Sequence, residues 1–449
     1  MERMNSQNQN NLMEKIISLC KRRGFIFPSS EIYGGFGSSY DFGPLGVGME
    51  SNIKSLWWEE MTKNHDNIFG IDAAILMSPK VWRASGHLSA GFADELVECK
   101  SCHHRYKKDT LSKNACPLCG GKLTKPRQFN LMMKTFVGPV EDRASTTYLR
   151  AETCQGIYIN FENVLNSMRA KIPFGIVQIG KAFRNEITPG NFIFRTREFD
   201  QMELEWFCQP SEANRYFDYW LNERLKWYKQ LGIKKENIKV AEIPKKERAH
   251  YARRQVDIEY HFPFGWQELE GIHNRGDWDL SNHSKYSGND LRYLDQKINK
   301  RYYPYIIETS VGVGRLFLAL LCNAYQEIKG GRTKTTKSVK EEEIVLKLNK
   351  KVAPIKVAVF PLIKKDKKLV KIARDIYKDL KGKFVAYYDE VDSIGRRYRR
   401  QDEIGTPYCI TVDFDTLKDK KVTIRDRNTM QQERVKIDQL VDVLKDKLK

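Results

Sequence analysis

A chain of 449 residues, 41% hydrophobic and 11% aromatic, can fill a large core spread over two or three domains. Its 77 basic and 57 acidic residues leave a net charge of +20. The longest apolar stretch, Val311 to Leu321, falls well short of the roughly 20 residues that cross a bilayer, and the polar start (MERMNSQNQN) has no apolar signal core, so a cytoplasmic protein without membrane contact is expected.

In chain order, Leu12, Ile16, Leu19 and Cys20 share one helical face, and Gly24 ends that helix. The glycine-rich stretch Gly34 to Gly48 reads as a loop over a site, and Met49 to Met61 as a helix. Ile71 to Met77 reads as a strand leading to Pro79. Residues 98–127 are rich in Cys and Lys. Their Cys99-x2-Cys102 and Cys116-x2-Cys119 pairs, thirteen residues apart, have the spacing of a zinc ribbon, which in a reducing compartment favours metal over disulfides. Four thiolates leave no open position, so the expected role of the zinc is structural. Nearby, Lys100, Arg105, Lys107 and Lys108 suit contact with a nucleic acid.

From about 148 to 322, aromatic and β-branched runs alternate with polar turns, the pattern of a mostly antiparallel sheet. Within it, Phe183 to Phe207 (FRNEITPGNFIFRTREFDQMELEWF) reads as a hairpin around Thr188-Pro189-Gly190-Asn191, with arginines and carboxylates concentrated on a segment otherwise fit for burial. Glu308 to Leu321 (ETSVGVGRLFLALL) places small residues just ahead of Arg315 and an apolar helix. Residues 331–354 read as a linker. Beyond them Ile355 to Phe360, Phe384 to Tyr388, Tyr408 to Phe414 and Val422 to Arg425 read as strands alternating with helices, a small α/β domain over 355–449. Residues 331–449 hold 31 basic and 19 acidic residues, a net +12. Contact with a polyanion is therefore expected chiefly there.

The form F-R-x-E, loop, R-x-x-x-F at 183–199 resembles motif 2 of the class II aminoacyl-tRNA synthetases, and 308–321 resembles motif 3. The helix, strand and proline of 53–79 resemble motif 1, the dimer-forming element. Y-L-R-A-E-T-C-Q-G (148–156), Y-D-F-G-P-L-G (40–46), R-A-S-G-H (83–87) and G-W-Q-E-L-E-G-I (265–272) resemble the homodimeric glycyl enzymes of that class, with Ala151 and Cys154 where that family has proline and alanine. The resemblance implies an antiparallel catalytic domain with flanking helices. It would run over 1–97 with motif 1 and 128–330 with motifs 2 and 3, interrupted by the ribbon-like insertion and followed by an anticodon-binding domain.

It also implies a glycine–tRNA ligase using ATP, Mg²⁺, glycine and tRNA(Gly). Arg184, Arg195 and Arg315 would hold the phosphates, and Asn185, Glu186, Phe194, Phe199, Glu268, Leu269 and Gly312 would complete the ATP site, with Glu268 on Mg²⁺. Arg83, Glu152, Glu203, Glu308 and Ser310 would surround glycine. An Arg fork matches phosphate oxygens bidentately, and three carboxylates suit the three donors of an ammonium. The four arginines Arg396, Arg397, Arg399 and Arg400 read equally as RNA contacts or as a solvated helix face. A second reading, a synthetase-like accessory subunit that binds nucleic acid without aminoacylation, would lack the ATP arginines and pocket glutamates that this chain has.

Overall fold

The computed structural model describes residues 2–89, 92–111, 113–188, 190–330 and 342–449, with the side chains of residues 2–10 left aside. The first helix, α1, runs Glu2–Arg23, and Ile16, Leu19 and Cys20 on it are buried. Next comes a hairpin of Ile26–Pro28 and Tyr40–Phe42. The glycine-rich segment is divided between the tip of this hairpin and the first turns of α2 (Pro44–Lys63). It is not a single loop over the site. Pro44 sits at the helix start, where its missing N–H leaves nothing unpaired. Met49, Ile53, Trp57 and Met61, one turn apart, are fully buried, each contributing about 1.5–3 kcal/mol. Gly46 must be glycine, because a Cβ there would lie 1.9 Å from the Phe25 carbonyl oxygen.

The main sheet has seven strands: β1 Ile68–Gly70, β2 Phe174–Phe183, β3 Glu198–Cys208, β4 Ile238–Glu242, β5 Arg254–Phe262, β6 Gly265–Gly276 and β7 Tyr305–Gly312. Their spatial order is β4-β5-β6-β7-β3-β2-β1, antiparallel throughout except for the parallel β1–β2 pair. The strand expected at Ile71 to Met77 is instead β1, three residues earlier. Past Gly70 the chain leaves β2 after the Ile71 N–H to Val177 carbonyl bond, the Ala73 carbonyl accepts from the Arg150 guanidinium, and Leu76 makes an isolated antiparallel bridge with Leu149. α3 (Pro79–Ala84) and α4 (Cys154–Ile159) lie near the site, while α5 (Ala213–Gln230) and α6 (Val313–Ala324) cover the other face.

Strand alternation divides the sheet into two chemistries. On β3, Met202, Leu204 and Trp206 face the core shared with α2, α5 and α6, whereas Gln201, Glu203 and Glu205 face the opposite way. On β7, Ile307 and Val311 join the core and Glu308 and Ser310 face the cavity.

The insertion forms a three-stranded sheet of Arg105–Lys107, Ala93–Glu98 and Arg127–Asn130. Of the linker range, residues 331–341 lie outside the described residues, and Glu342–Leu346 is a strand paired antiparallel with Tyr325–Lys329. Its Val345 and Leu346 are buried, and that burial makes it part of the fold. The C-terminal unit has strands β8 Val357–Pro361, β9 Ala386–Tyr388, β10 Tyr408–Val412, β11 Lys421–Asp426 and β12 Gln432–Lys436, in the order β9-β8-β10-β11-β12. Helices α7 (Lys367–Lys381), α8 (Ile394–Ile404) and α9 (Leu440–Leu448) complete it. Leu369, Ala373, Ile376 and Leu380, on one face of α7, pack on this sheet.

Candidate active site

A cavity of about 240 Å³ opens over the polar face of the main sheet. Arginines gather at one end and carboxylates at the other. Arg184, Arg195, Arg315, Glu186, Phe194, Phe199, Glu268 and Gly312 line the first end, and Glu152, Glu203, Glu308 and Ser310 line the second. Among the expected residues, Arg83, Asn185 and Leu269 do not line it. Arg83 is exposed on the last turn of α3, and the Asn185 backbone N–H donates to the Leu131 carbonyl. Leu269 is the extra residue of a β-bulge, and its side chain lies in the core.

At the basic end, Arg184 leaves the end of β2 and donates from Nε to the Ala151 carbonyl at 3.1 Å. Its guanidinium lies 5.6 Å from the Phe92 ring centroid and 5.5 Å from that of Phe199, so its unused N–H groups point into the cavity between two aromatic faces. Phe199, expected in the ATP site, is thus in contact with Arg184. Arg315 lies over Phe194 at 4.6 Å and pairs with Glu268 at 3.0 Å. That neighbour, with burial opposing it, holds the Glu268 carboxyl below its ordinary value. The Glu268 side chain is 46% exposed, the accessibility a hydrated divalent ion needs.

The acidic end is dense. Glu203 accepts from Thr153, from Gln201 at 3.0 Å and from Ser310 at 2.7 Å. Burial, then the charges of Glu308 and Glu152, push its carboxyl up to about 7. Glu152 accepts from Gln155 at 2.9 Å and lies 3.3 Å from His87. Burial pushes Glu152 up, but His87 and Arg275 overcome it and hold this carboxyl well below the usual range. Glu308 is likewise lowered despite burial, by Arg275 and by His273 at 3.0 Å. Glu205, beneath them and bonded to the Tyr158 hydroxyl at 2.8 Å, is raised by burial and by Glu308. The site therefore sets two carboxyls held low, Glu152 and Glu308, beside two pushed up, Glu203 to about 7 and Glu205 by burial and the charge of Glu308.

Sequence reading missed the groups that balance these charges. Arg275 is gripped by Asp279 at 2.7 and 2.9 Å, donates to Glu308 and lies 3.7 Å from the Tyr251 ring centroid. His273 follows Gly271 by two residues on β6, the signal that could have marked it as cavity-facing, whereas Arg275 falls at a register shift against β7 and is buried behind the cavity wall. Cys154 is fully buried, its S–H donates to Glu152, and burial raises its thiol far above the ordinary value, so it is not a reactive thiolate.

In the insertion, the Sγ atoms of Cys99, Cys102, Cys116 and Cys119 all lie within 4.8 Å of one another, with Cys99–Cys119 at 3.5 Å and Cys102–Cys116 at 3.6 Å. These separations are far too long for disulfides and close to the roughly 3.8 Å edge of a tetrahedral zinc tetrathiolate. In the C-terminal unit, the arginines of α8 make contacts within the protein. Arg397 is buried and donates to the Pro361 and Leu362 carbonyls, Arg400 pairs with Asp389 and Asp392, Arg396 pairs with Asp392, and Arg399 lies 3.8 Å from Glu343.

The pattern of the tRNA synthetase class II core domain (G, H, P, S and T) matches residues 139–324, and that of an anticodon binding domain matches 356–447. A prolyl-tRNA synthetase from Cryptosporidium parvum, solved with halofuginone and AMPPNP, superposes with a TM-score of 0.65 at 17% identity, covering 96% of this chain and 76% of that one, and so shares the fold. The glycine–tRNA ligase of Treponema denticola is 50% identical over 443 residues, 97% of each chain. That of Borrelia garinii is 52% identical over 442 residues, 96% of this chain and 97% of the relative. That of Thermobifida fusca is 49% identical over 457 residues, 97% of this chain and 98% of the relative. With a class II core, an anticodon-binding domain and full-length similarity of this order, the chain belongs to the glycine–tRNA ligase family.

Proposed function

We infer that this protein activates glycine with ATP and transfers it to the 3′ end of tRNA(Gly). The observation that carries the reading is the single cavity with arginines at one end and buried carboxylates at the other. In the first step a glycine carboxylate oxygen attacks the α-phosphorus of ATP, a new P–O bond forms, and the bond to the bridging oxygen breaks to release pyrophosphate. In the second, the 3′-terminal ribose hydroxyl attacks the carbonyl of glycyl-adenylate, loses its proton and expels AMP. Catalysis of this kind rests on positioning and electrostatics.

Arg184 bridges the α-phosphate and the amino-acid carboxylate, Arg195 and Arg315 hold the γ-phosphate, and Glu186 reads the adenine amino group, with Asn185 and the Leu269 backbone beside the nucleotide. Glu152, Glu203 and Glu308 surround the ammonium, and Ser310 narrows the pocket. A group without a side chain is gripped by its charges, and a pocket without room for a methyl excludes alanine. Glu268 suits Mg²⁺, which when bound offsets phosphate charge. The decisive experiment is ATP–pyrophosphate exchange with each of the twenty amino acids. Exchange with glycine alone supports the assignment, exchange with another overturns the pocket, and none at all favours the accessory-subunit reading.

The Glu203 carboxyl at about 7 carries a pH prediction. A protonated Glu203 attracts an ammonium less than an ionised one, so KM for glycine should fall as pH rises from 6 to 8, by up to about tenfold per unit below the inflection. A flat glycine KM over that range would remove Glu203 from the ammonium site.

The four ribbon thiols suit one structural zinc, which in a reducing cytosol stabilises the insertion outright. Protein purified without chelator should carry that zinc and Cys116→Ser should lose it; equal metal content in both would exclude the site. The basic side chains of the insertion suit the tRNA acceptor stem. A homodimer is supported by the resemblance to motif 1, by β1 at the outer edge of the sheet and by Leu76, 51% exposed just beyond it. A sedimentation mass of one chain would exclude it.

A further inference from the structure

On the core side of the sheet, remote from the cavity, α2 ends at Lys63 and the chain turns through Asn64 to Asn67 into β1. At that corner His65 points inward, its side chain only 8% exposed. The ring packs on Trp220 of α5 with centroids 4.8 Å apart, and its Nδ1 lies 3.0 Å from the Tyr219 hydroxyl. Nε2 is buried and has no hydrogen-bond partner. The nearest carboxylate oxygen, on Glu60, is 3.7 Å away, beyond hydrogen-bond reach. One ring nitrogen of His65 and one carboxylate oxygen from each of Glu60 and Glu223 all lie within 4.8 Å of one another.

A buried ring nitrogen left unpaired beside two carboxylates is costly unless something bridges the three. We propose that Glu60, His65 and Glu223 form a binding site for one zinc ion that fastens the end of α2 to α5. One imidazole and two carboxylates are ligands that zinc accepts, and a water completes a tetrahedron. Zinc–ligand distances of about 2.0–2.2 Å require ligand atoms roughly 3.3–3.6 Å apart, so small rotations of the two glutamates close the site.

The surroundings match such a centre. The Tyr219 hydroxyl on Nδ1 fixes the ring and leaves Nε2 for the ion, the outer-shell partner that ligating histidines have. Asn64 donates to the other oxygen of Glu60 at 2.6 Å. Lys226 bonds Glu223 at 2.6 Å, but its side chain is 66% exposed and can leave the carboxylate to the ion. The other nearby cation, Arg224, is committed to Glu270 at 2.7 Å.

The test is a zinc count per chain after equilibration with Zn²⁺ and desalting, for the wild type, His65→Asn and Glu223→Gln, in the full-length protein. Each variant should hold one zinc fewer than the wild type, and zinc should raise the unfolding temperature of the wild type more than that of either variant. Cys116→Ser reports the ribbon separately, and the loss on Glu223→Gln should persist in that background. Should His65→Asn fail to fold, Glu223→Gln decides, with glycine-dependent exchange as its control for folding. Equal zinc in the wild type and a folded Glu223→Gln overturns the proposal.

Discussion

Replacing Arg184 by alanine should lower kcat/KM for glycine-dependent pyrophosphate exchange by on the order of 10²–10³, about 3–4 kcal/mol of transition-state stabilisation. The guanidinium makes one backbone bond, from Nε to the Ala151 carbonyl, and is otherwise set between Phe92 and Phe199 with its donors facing the cavity. Charge shifts onto the phosphate oxygens as pyrophosphate leaves, so a fork held there acts mostly in the transition state. Folding should suffer little, since a single such bond contributes about 1 kcal/mol. Lysine restores the charge without the fork, so Arg184→Lys should recover only part of the loss. Near-normal exchange by Arg184→Ala would remove this residue from the phosphate site and with it the reading of 183–199.

Much of this site could be read from sequence because β3 obeys one rule throughout. Gln201, Glu203 and Glu205 recur at every second position among Met202, Leu204 and Trp206, and the strand seats them as that alternation requires. The adjoining β6 breaks the rule. By simple alternation Glu268 and Glu270 would share a face. The extra residue Leu269 reverses the register, so Glu268 lines the cavity with Gly271 and His273 while Glu270 is buried against Arg224 and Tyr228. No pattern of residue types announces that bulge, or that it turns the Leu269 side chain into the core. Partners distant in sequence were equally hidden. That Arg275 balances Glu308 and that α8 spends its arginines on backbone carbonyls and aspartates depend on elements brought together only by the fold.

Glu308→Gln should raise KM for glycine by on the order of 10² at pH 8 and leave KM for ATP within about threefold, since the side chain lies at the acidic end of the cavity. Glutamine keeps the volume and a hydrogen bond for His273 but removes a buried charge facing the ammonium; charged hydrogen bonds of this kind are worth about 1.5–3 kcal/mol. Arg275 keeps both contacts to Asp279, so the variant should fold. The sharper consequence concerns Glu203, whose carboxyl is raised to about 7 by burial and then by the charge of Glu308. With that charge gone, Glu203 should ionise at lower pH and supply at pH 6 a carboxylate that the wild type lacks there. The penalty of Glu308→Gln should therefore be smaller at pH 6 than at pH 8, and the inflection in glycine KM should move below 7. A purely structural role for Glu308 would raise KM equally at both pH values and leave the inflection in place; that result would uncouple the two carboxylates and leave burial as the cause of the raised Glu203 carboxyl.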